Sequence, residues 1–282
     1  MATKSEYSQR EIEAAKSILI ELMQILGEYR EQMVLIGGWV PFFLFGSGHV
    51  GSTDVDIALD RDQITDDVYK TIRQYLEKRG YQQGEQPSLF TKSVKIDEGK
   101  PVVVEVDFVA GEYGGTGKTR RHQVVQEGLK ARKARGCELA LEYHTQITVK
   151  GIMPGGAVNE VQVNLSALVP FIVMKGMALY DRMKEKDAWD IHFCVTKYPG
   201  GLTELAKQFE PVLGTKLVRE GLSKIRSKFS AVDAYGPVSV AEFEEVQNSE
   251  ERDRIRRDAF EQVTALLDLL QIGEYVQGSD EG

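Results

Sequence analysis

Cysteine is almost missing from this sequence: Cys137 and Cys194 are the only two in 282 residues. That excludes a disulfide framework, and no Cys/His spacing suits zinc. Histidine is scarce too, with four scattered copies. No apolar run approaches the ~20 residues that a membrane-spanning helix needs. The first ten residues, MATKSEYSQR, hold no apolar signal core. These absences lead us to expect a reduced, cytoplasmic chain. Positive charge is not in excess: 35 Lys and Arg stand against 43 Asp and Glu, a formal charge of -8. Such a balance argues against a general nucleic-acid coat and leaves room for a local basic site. What is present is an apolar content of 42%, enough for a core, on a length suited to one large or two smaller domains.

The chain is organised around residues 34–60, VLIGGWVPFFLFGSGHVGSTDVDIALD. An apolar strand leads into Gly37-Gly38, a short helix, a glycine-rich turn and a second strand carrying Asp54-Val55-Asp56. Residues two apart on a strand share a face, so Asp54 and Asp56 are neighbours while Val55, Ile57 and Leu59 point inward. Two carboxylates this close repel unless a cation lies between them. A hard divalent cation, which prefers oxygen ligands, is the natural counter-charge. Residues 101–110, PVVVEVDFVA, read as another strand, with Glu105 and Asp107 on one face. If it lies beside Asp54-Val55-Asp56, three carboxylates meet at one sheet edge and can hold Mg²⁺ (or Mn²⁺) for phosphoryl transfer.

The order Gly37-Gly38, helix, Asp54-Val55-Asp56, then a lone Asp107 resembles the nucleotidyltransferase superfamily typified by DNA polymerase beta. The resemblance implies that Gly37 and Gly38 face nucleotide phosphates, that Asp54 and Asp56 bind metal, and that Asp107 joins them and activates the attacking hydroxyl. Fifteen residues separate Gly38 from Asp54, a longer gap than the family's usual one. Gly51-Ser52, nearer the acids, is a second candidate for the phosphate turn.

Around this centre the periodicity is plain. Residues 8–29 read as an amphipathic helix opened by a Ser8/Glu11 capping box. Residues 66–79 read as a second helix, and 81–99 as strand and turns. Residues 140–150 and 158–165 alternate like a strand pair around a glycine turn. The segment GEYGGTGKT, residues 111–119, resembles a P-loop, but the pattern wants glycine where Glu112 stands. A glycine loop over phosphates and a plain surface loop remain open. From 116 to 135, Lys118, Arg120, Arg121, Lys130, Arg132, Lys133 and Arg135 face a single acid, Glu127. This run either engages phosphates or an RNA backbone, or is a solvated helix face.

Residues 168–195 form a second diagnostic stretch, helical in period. Lys175, Ala178-Leu179, Arg182 and Lys186-Asp187-x-x-Asp190 follow in order. This stretch resembles the AbiEii-like nucleotidyltransferases, toxins of type IV toxin–antitoxin systems. From the residues themselves, Lys175 is a point charge able to hold a triphosphate, and Asp187 and Asp190 are either catalytic or paired in a structural ion network. Further on, 202–209, 216–229 and 249–272 read as helices, with 230–237 as a turn and a polar tail.

The expected fold is α+β: a mixed-sheet nucleotidyltransferase domain over 1–165, a helical domain over 166–276, and a flexible tail over 277–282. The expected activity is metal-dependent transfer of a nucleoside monophosphate from a nucleoside triphosphate to an acceptor hydroxyl on RNA (tRNA in some relatives) or protein, with an antitoxin as a possible partner. Asp54, Asp56 and Asp107 are the catalytic and metal candidates. Gly37, Gly38, Ser52, Lys175 and Asp187 are the nucleotide-binding candidates. The alternatives are a small-molecule, aminoglycoside-type nucleotidyltransferase and a non-catalytic nucleotide-binding protein of the same fold.

Overall fold

The computed structural model describes residues 3–60, 62–64, 66–111, 122–126 and 129–275. The chain divides into two compact units: one comprises Tyr7–Phe43 and Val50–Ala167, the other Met1–Glu6, Leu44–His49 and Leu168–Gly282.

The sheet-bearing unit opens with α1 (Gln9–Ile25). Its capping box is formed: the Glu11 N–H donates to Ser8 Oγ and the Ser8 N–H donates to Glu11 Oε2. Ala15, Ile18, Leu19 and Leu22 make its fully buried stripe. There follow β1 (Met33–Ile36), α2 (Trp39–Phe45), β2 (Val55–Leu59), α3 (Asp66–Lys78), β3 (Gln82–Gln83), β4 (Leu89–Val94) and β5 (Val102–Ala110). The unit closes with β6 (His122–Gln126), β7 (Leu129–Lys133), α4 (Cys137–Glu142), β8 (His144–Ile152) and β9 (Val158–Ser166).

Among the described residues these nine strands form one sheet in the order β3-β4-β5-β2-β1-β9-β8, with β7 beside β5 and β6 beside β7. Pairing is mixed: β2 runs parallel to β5 and antiparallel to β1. The central strand β1 is buried at all four positions, whereas the outer strand β8 alternates towards solvent. This is the contrast expected between a strand covered on both faces and one at an edge.

Two local expectations are corrected in this unit. The basic run is not a helix face: Lys130, Arg132 and Lys133 lie on β7, which pairs with β6 and β5, and Arg135 is in the turn beyond it. Residues 140–142 are helical in α4, because Cys137, Leu139 and Ala140 bury one side of a single turn and a half. The glycine-rich loop over 112–121 and the tail beyond 275 lie outside the described residues.

The second unit is helical: α5 (Leu168–Arg182), α6 (Glu185–Lys197), α7 (Gly201–Phe209), α8 (Lys216–Lys228), α9 (Tyr235–Phe243) and α10 (Ser249–Leu269). The stretch 168–195 is therefore two helices. Met183, at φ 51°, breaks them, and its carbonyl accepts a hydrogen bond from the Tyr235 hydroxyl. The expected turn over 230–237 holds as far as Ala234, and α9 takes over from Tyr235. Pro237 sits in its first turn, where a missing N–H costs nothing, and Val240, Ala241 and Phe243 are buried. Helices α5 and α8 touch backbone to backbone: a Cβ on Gly176 would lie 2.4 Å from the Gly221 carbonyl oxygen. Asn248 caps α10, accepting from the Glu251 N–H at 3.0 Å. No described helix is long and apolar enough to cross a membrane.

Candidate active site

The parallel pairing of β2 with β5 sets Asp56 opposite Asp107. Neighbouring strands are about 4.8 Å apart, so two carboxylates now stand side by side on one face. At ~5 Å and an effective dielectric near 20, their repulsion is on the order of 3 kcal/mol, enough to require a counter-charge. Asp54 lies one residue before β2, at the same end of the sheet. All three acids are half-buried.

Each acid is held by a distinct device. Trp39, fully buried in α2, donates its indole N–H to the Asp54 carbonyl at 2.7 Å. Ser52, also buried, donates its hydroxyl to Asp54 Oδ1 at 2.5 Å. The aspartate therefore enters the strand with both backbone and side chain fixed. Gly37 ends β1 with φ +72°, and a Cβ there would lie 2.4 Å from Asp56 Oδ2. Only glycine lets the turn run this close to the carboxylate. Gly38 follows directly, at the start of the turn into α2. Asp107 accepts from two sides: Ser88 Oγ to Oδ1 and Arg132 Nε to Oδ2, each at 2.8 Å.

Carboxylate oxygens are the donor set a hard divalent cation prefers, so Asp54 and Asp56 fit such an ion chemically. Asp107 already has a positive partner in Arg132. Among the described residues no group of three or more His, Cys, Asp or Glu is drawn together closely enough to hold a metal. Of the basic run, Arg132 reaches the acids. Lys118, Arg120 and Arg121 lie outside the described residues.

The helical unit holds a charge cluster of another kind. Lys175 Nζ sits between Asp187 Oδ1 at 2.7 Å and Asp190 Oδ2 at 2.6 Å. Arg182 forks onto both oxygens of Asp187, each at 2.8 Å. Lys186 reaches Asp190 at 2.9 Å from the next turn of α6. The Asp187 and Asp190 side chains are 1% and 0% exposed. Burial opposes their charge, but their partners outweigh it: Lys175 and Arg182 hold Asp187 below the usual carboxylate range, and Lys175, Lys186 and the hydrogen bond from His49 hold Asp190 well below it. Lys175 is shifted up: burial works against its charge, and the two aspartates overcome it.

His49 completes the cluster. Its Nε2 lies 2.9 Å from Asp190 Oδ1, and its ring packs against Trp189 and Phe193 at 5.1 and 5.0 Å. Burial pushes its pKa down to about 4, against the pull of Asp190, so the ring is neutral at pH 7 and donates from Nε2.

Sequence reasoning did not identify Trp39, Ser88 or His49, and it read Arg132 only as one charge among several. Their partners are 15, 19, 141 and 25 residues away respectively. No local pattern marks pairs at such separations. The one available signal was for Trp39: a buried indole needs an acceptor.

Comparison with known proteins supplies the class. A family described as nucleotidyl transferase AbiEii toxin, type IV toxin–antitoxin system, matches residues 21–271. The molecule is thus a nucleotidyltransferase, and the chain belongs to the AbiEii family. Comparison with curated proteins gives no match. Among solved structures, JHP933 from Helicobacter pylori is similar at 13% identity and TM-score 0.44, with 94% of each chain covered. MenT4, a nucleotidyltransferase toxin from Mycobacterium tuberculosis, is similar at 14% identity and TM-score 0.41, covering 97% of this chain and 95% of that one. An antigenic nucleotidyltransferase-like protein from Paracoccidioides brasiliensis is similar at 14% identity and TM-score 0.39, covering 95% and 97%.

Proposed function

We propose that this AbiEii-family enzyme transfers a nucleoside monophosphate from a nucleoside triphosphate to an acceptor hydroxyl, with a divalent cation held by Asp54 and Asp56. The observation that carries the reading is the register of Asp56 with Asp107, with the Gly37 backbone against the Asp56 carboxylate. A bound Mg²⁺ or Mn²⁺ would supply charge neutralisation at the phosphates. Gly37 and Gly38 leave room for a phosphate to approach the turn. Ser52 and Trp39 keep Asp54 in place. Asp107 accepts the proton of the acceptor hydroxyl. The hydroxyl oxygen forms a bond to the α-phosphorus, the bond from that phosphorus to the bridging oxygen breaks, and pyrophosphate leaves. Holding the two reactants in line is the protein's main contribution.

Lys175 and Asp187 enter as members of the buried cluster of the helical unit. Their mutual ion pair supports a structural part for them before a nucleotide contact. The family supports an antitoxin partner. RNA, tRNA among it, and protein are the acceptors the reading admits.

The test mixes purified protein, Mg²⁺ and each nucleotide, labelled in turn at the α- or γ-phosphate, with total RNA and cell protein. Label from the α-position on one macromolecule, with γ-label released as pyrophosphate, is the expected result and names acceptor and base together. Transfer of γ-label instead would make the enzyme a kinase and overturn the reading. Label on an aminoglycoside supplied in a parallel reaction, with none on RNA or protein, would replace the acceptor class.

A further inference from the structure

Asp107 sits at a join in the sheet. Strand β4 pairs with β5 from Val102 to Asp107, and β7 pairs with it at Val109 and Ala110. Strand β2 pairs with β5 over both stretches, from Val106 to Ala110. Strands β4 and β7 must therefore share the flank of β5 opposite β2, one ending where the other begins. Asp107 stands at that changeover, with Asp56 on its other side.

The two strands on the join each send one donor to the carboxylate. Ser88, just ahead of β4, is fully buried and gives its hydroxyl to Oδ1. Its own carbonyl accepts from the Phe108 N–H at 3.1 Å, so the serine is fixed to the strand it serves. Arg132, on β7, gives Nε to Oδ2, and the Ala134 N–H donates to the Ala110 carbonyl just beyond, tying β7 to the end of β5. One donor per oxygen sets the plane of the carboxylate. The guanidinium also supplies positive charge on the flank away from Asp56, offsetting the repulsion between the two acids.

The bland account is a surface ion pair. Arg132 is 38% exposed, and a pair that open contributes little to stability. A purely stabilising role therefore gives it almost nothing to do, while its aim at Asp107 gives it a specific one.

We propose that Arg132, with Ser88, is a positioning residue for Asp107: the two clamp the carboxylate so that one lone pair faces the acceptor hydroxyl. This rests on the reading of Asp107 as the group that takes the proton. A carboxylate turned out of line costs rate rather than substrate affinity, and misplacement by an ångström is worth about 100-fold.

The experiment measures kcat and the nucleotide KM separately for Arg132→Ala, Arg132→Lys, Ser88→Ala, Asp107→Asn and the double variant Asp107→Asn/Arg132→Ala, with thermal melting of each. We expect Arg132→Ala to melt with the wild type and lose about 10- to 100-fold in kcat, with KM within about two-fold. Added guanidinium ion should restore part of that rate, and Arg132→Lys should fall between. Ser88→Ala should show a smaller loss of the same kind. The double variant should be no slower than Asp107→Asn alone, because the clamp has nothing left to hold. Multiplying losses in the double variant, a loss confined to KM, or an unimpaired Arg132→Ala beside a slow Asp107→Asn would overturn the inference alone. Asp107→Asn at the wild-type rate would overturn the proton-acceptor assignment on which it rests.

Discussion

The two units use aspartate in opposite ways. Asp187 and Asp190 in α6 are closed off from solvent and saturated by Lys175, Lys186, Arg182 and His49. Asp54, Asp56 and Asp107 in the sheet unit are half-buried; Ser52 donates to Asp54, Ser88 and the partly exposed Arg132 donate to Asp107, and the Gly37 backbone runs close to Asp56. In the sequence Asp54 and Asp56 appear as Asp-x-Asp, Asp187 and Asp190 as Asp-x-x-Asp, and Asp107 stands alone. The difference is how far each set is closed off from solvent. A buried carboxylate with several cations around it is committed to the fold, since removing one partner strands the others. A half-buried carboxylate, still open to solvent, is able to recruit a cation or accept a proton.

The largest test of that contrast is on the sheet side. Asp56→Asn should lower nucleotidyl transfer about 1,000-fold, several kcal/mol of barrier, while the melting temperature stays within a few degrees. A variant that unfolds instead would place Asp56 with the structural acids. On the helical side, Asp190→Ala should lose about 3–5 kcal/mol of stability, because Lys175 and Lys186 are left buried without their shared partner. Chemical denaturation reads this directly, and a neutral result would remove the cluster from the stability account.

The third test uses pH. His49 titrates near 4 in the folded protein, because burial outweighs the pull of Asp190. An unfolded histidine titrates near 6.5. Between these values the unfolded chain binds a proton that the folded one refuses, so stability falls as pH drops from about 6.5 to about 4, by about 3 kcal/mol from this group. His192, shifted down by burial, adds to the same slope. Asp187 and Asp190 are shifted down as well, so their contribution is lost only below the ordinary carboxylate range. Melting temperatures of wild type and His49→Gln across pH 4–7 should converge towards the acid end. Parallel curves would contradict the assignment.

The smallest effect is at Gly37. Gly37→Ala strains a positive φ and drives a methyl group into the Asp56 carboxylate. We expect about 1–3 kcal/mol of destabilisation, together with slower transfer as Asp56 is displaced. Unchanged melting and rate would show that the turn and the acid are not in contact.

The sequence was informative where chemistry is local. The alternation through Val55, Ile57 and Leu59 marks β2 as a buried strand, and Ser8 with Glu11 marks the start of α1. Gly37-Gly38 ahead of Asp54-Val55-Asp56 marks the glycine turn beside the acids. The position of Asp107 beside Asp56 was stated only as a condition, because strand order is a long-range property that no window reveals. The β6–β7 hairpin was hidden by its charge, since lysine and arginine suit a solvated helix as well as an edge strand. Helix α9 was hidden by Pro237, which reads as a breaker until its place in the first turn is known. The clamp on Asp107 and the partner of His49 join residues from separate elements, and only the folded chain brings them together.

The most direct measurement is the rate of α-label transfer by Asp56→Asn relative to wild type, at a temperature where both are folded. We predict that transfer collapses while the protein remains intact, as fits an acid held near the start of β2 for chemistry. Transfer at the wild-type rate from a folded Asp56→Asn would contradict the division between working and structural aspartates, and with it the proposed active site.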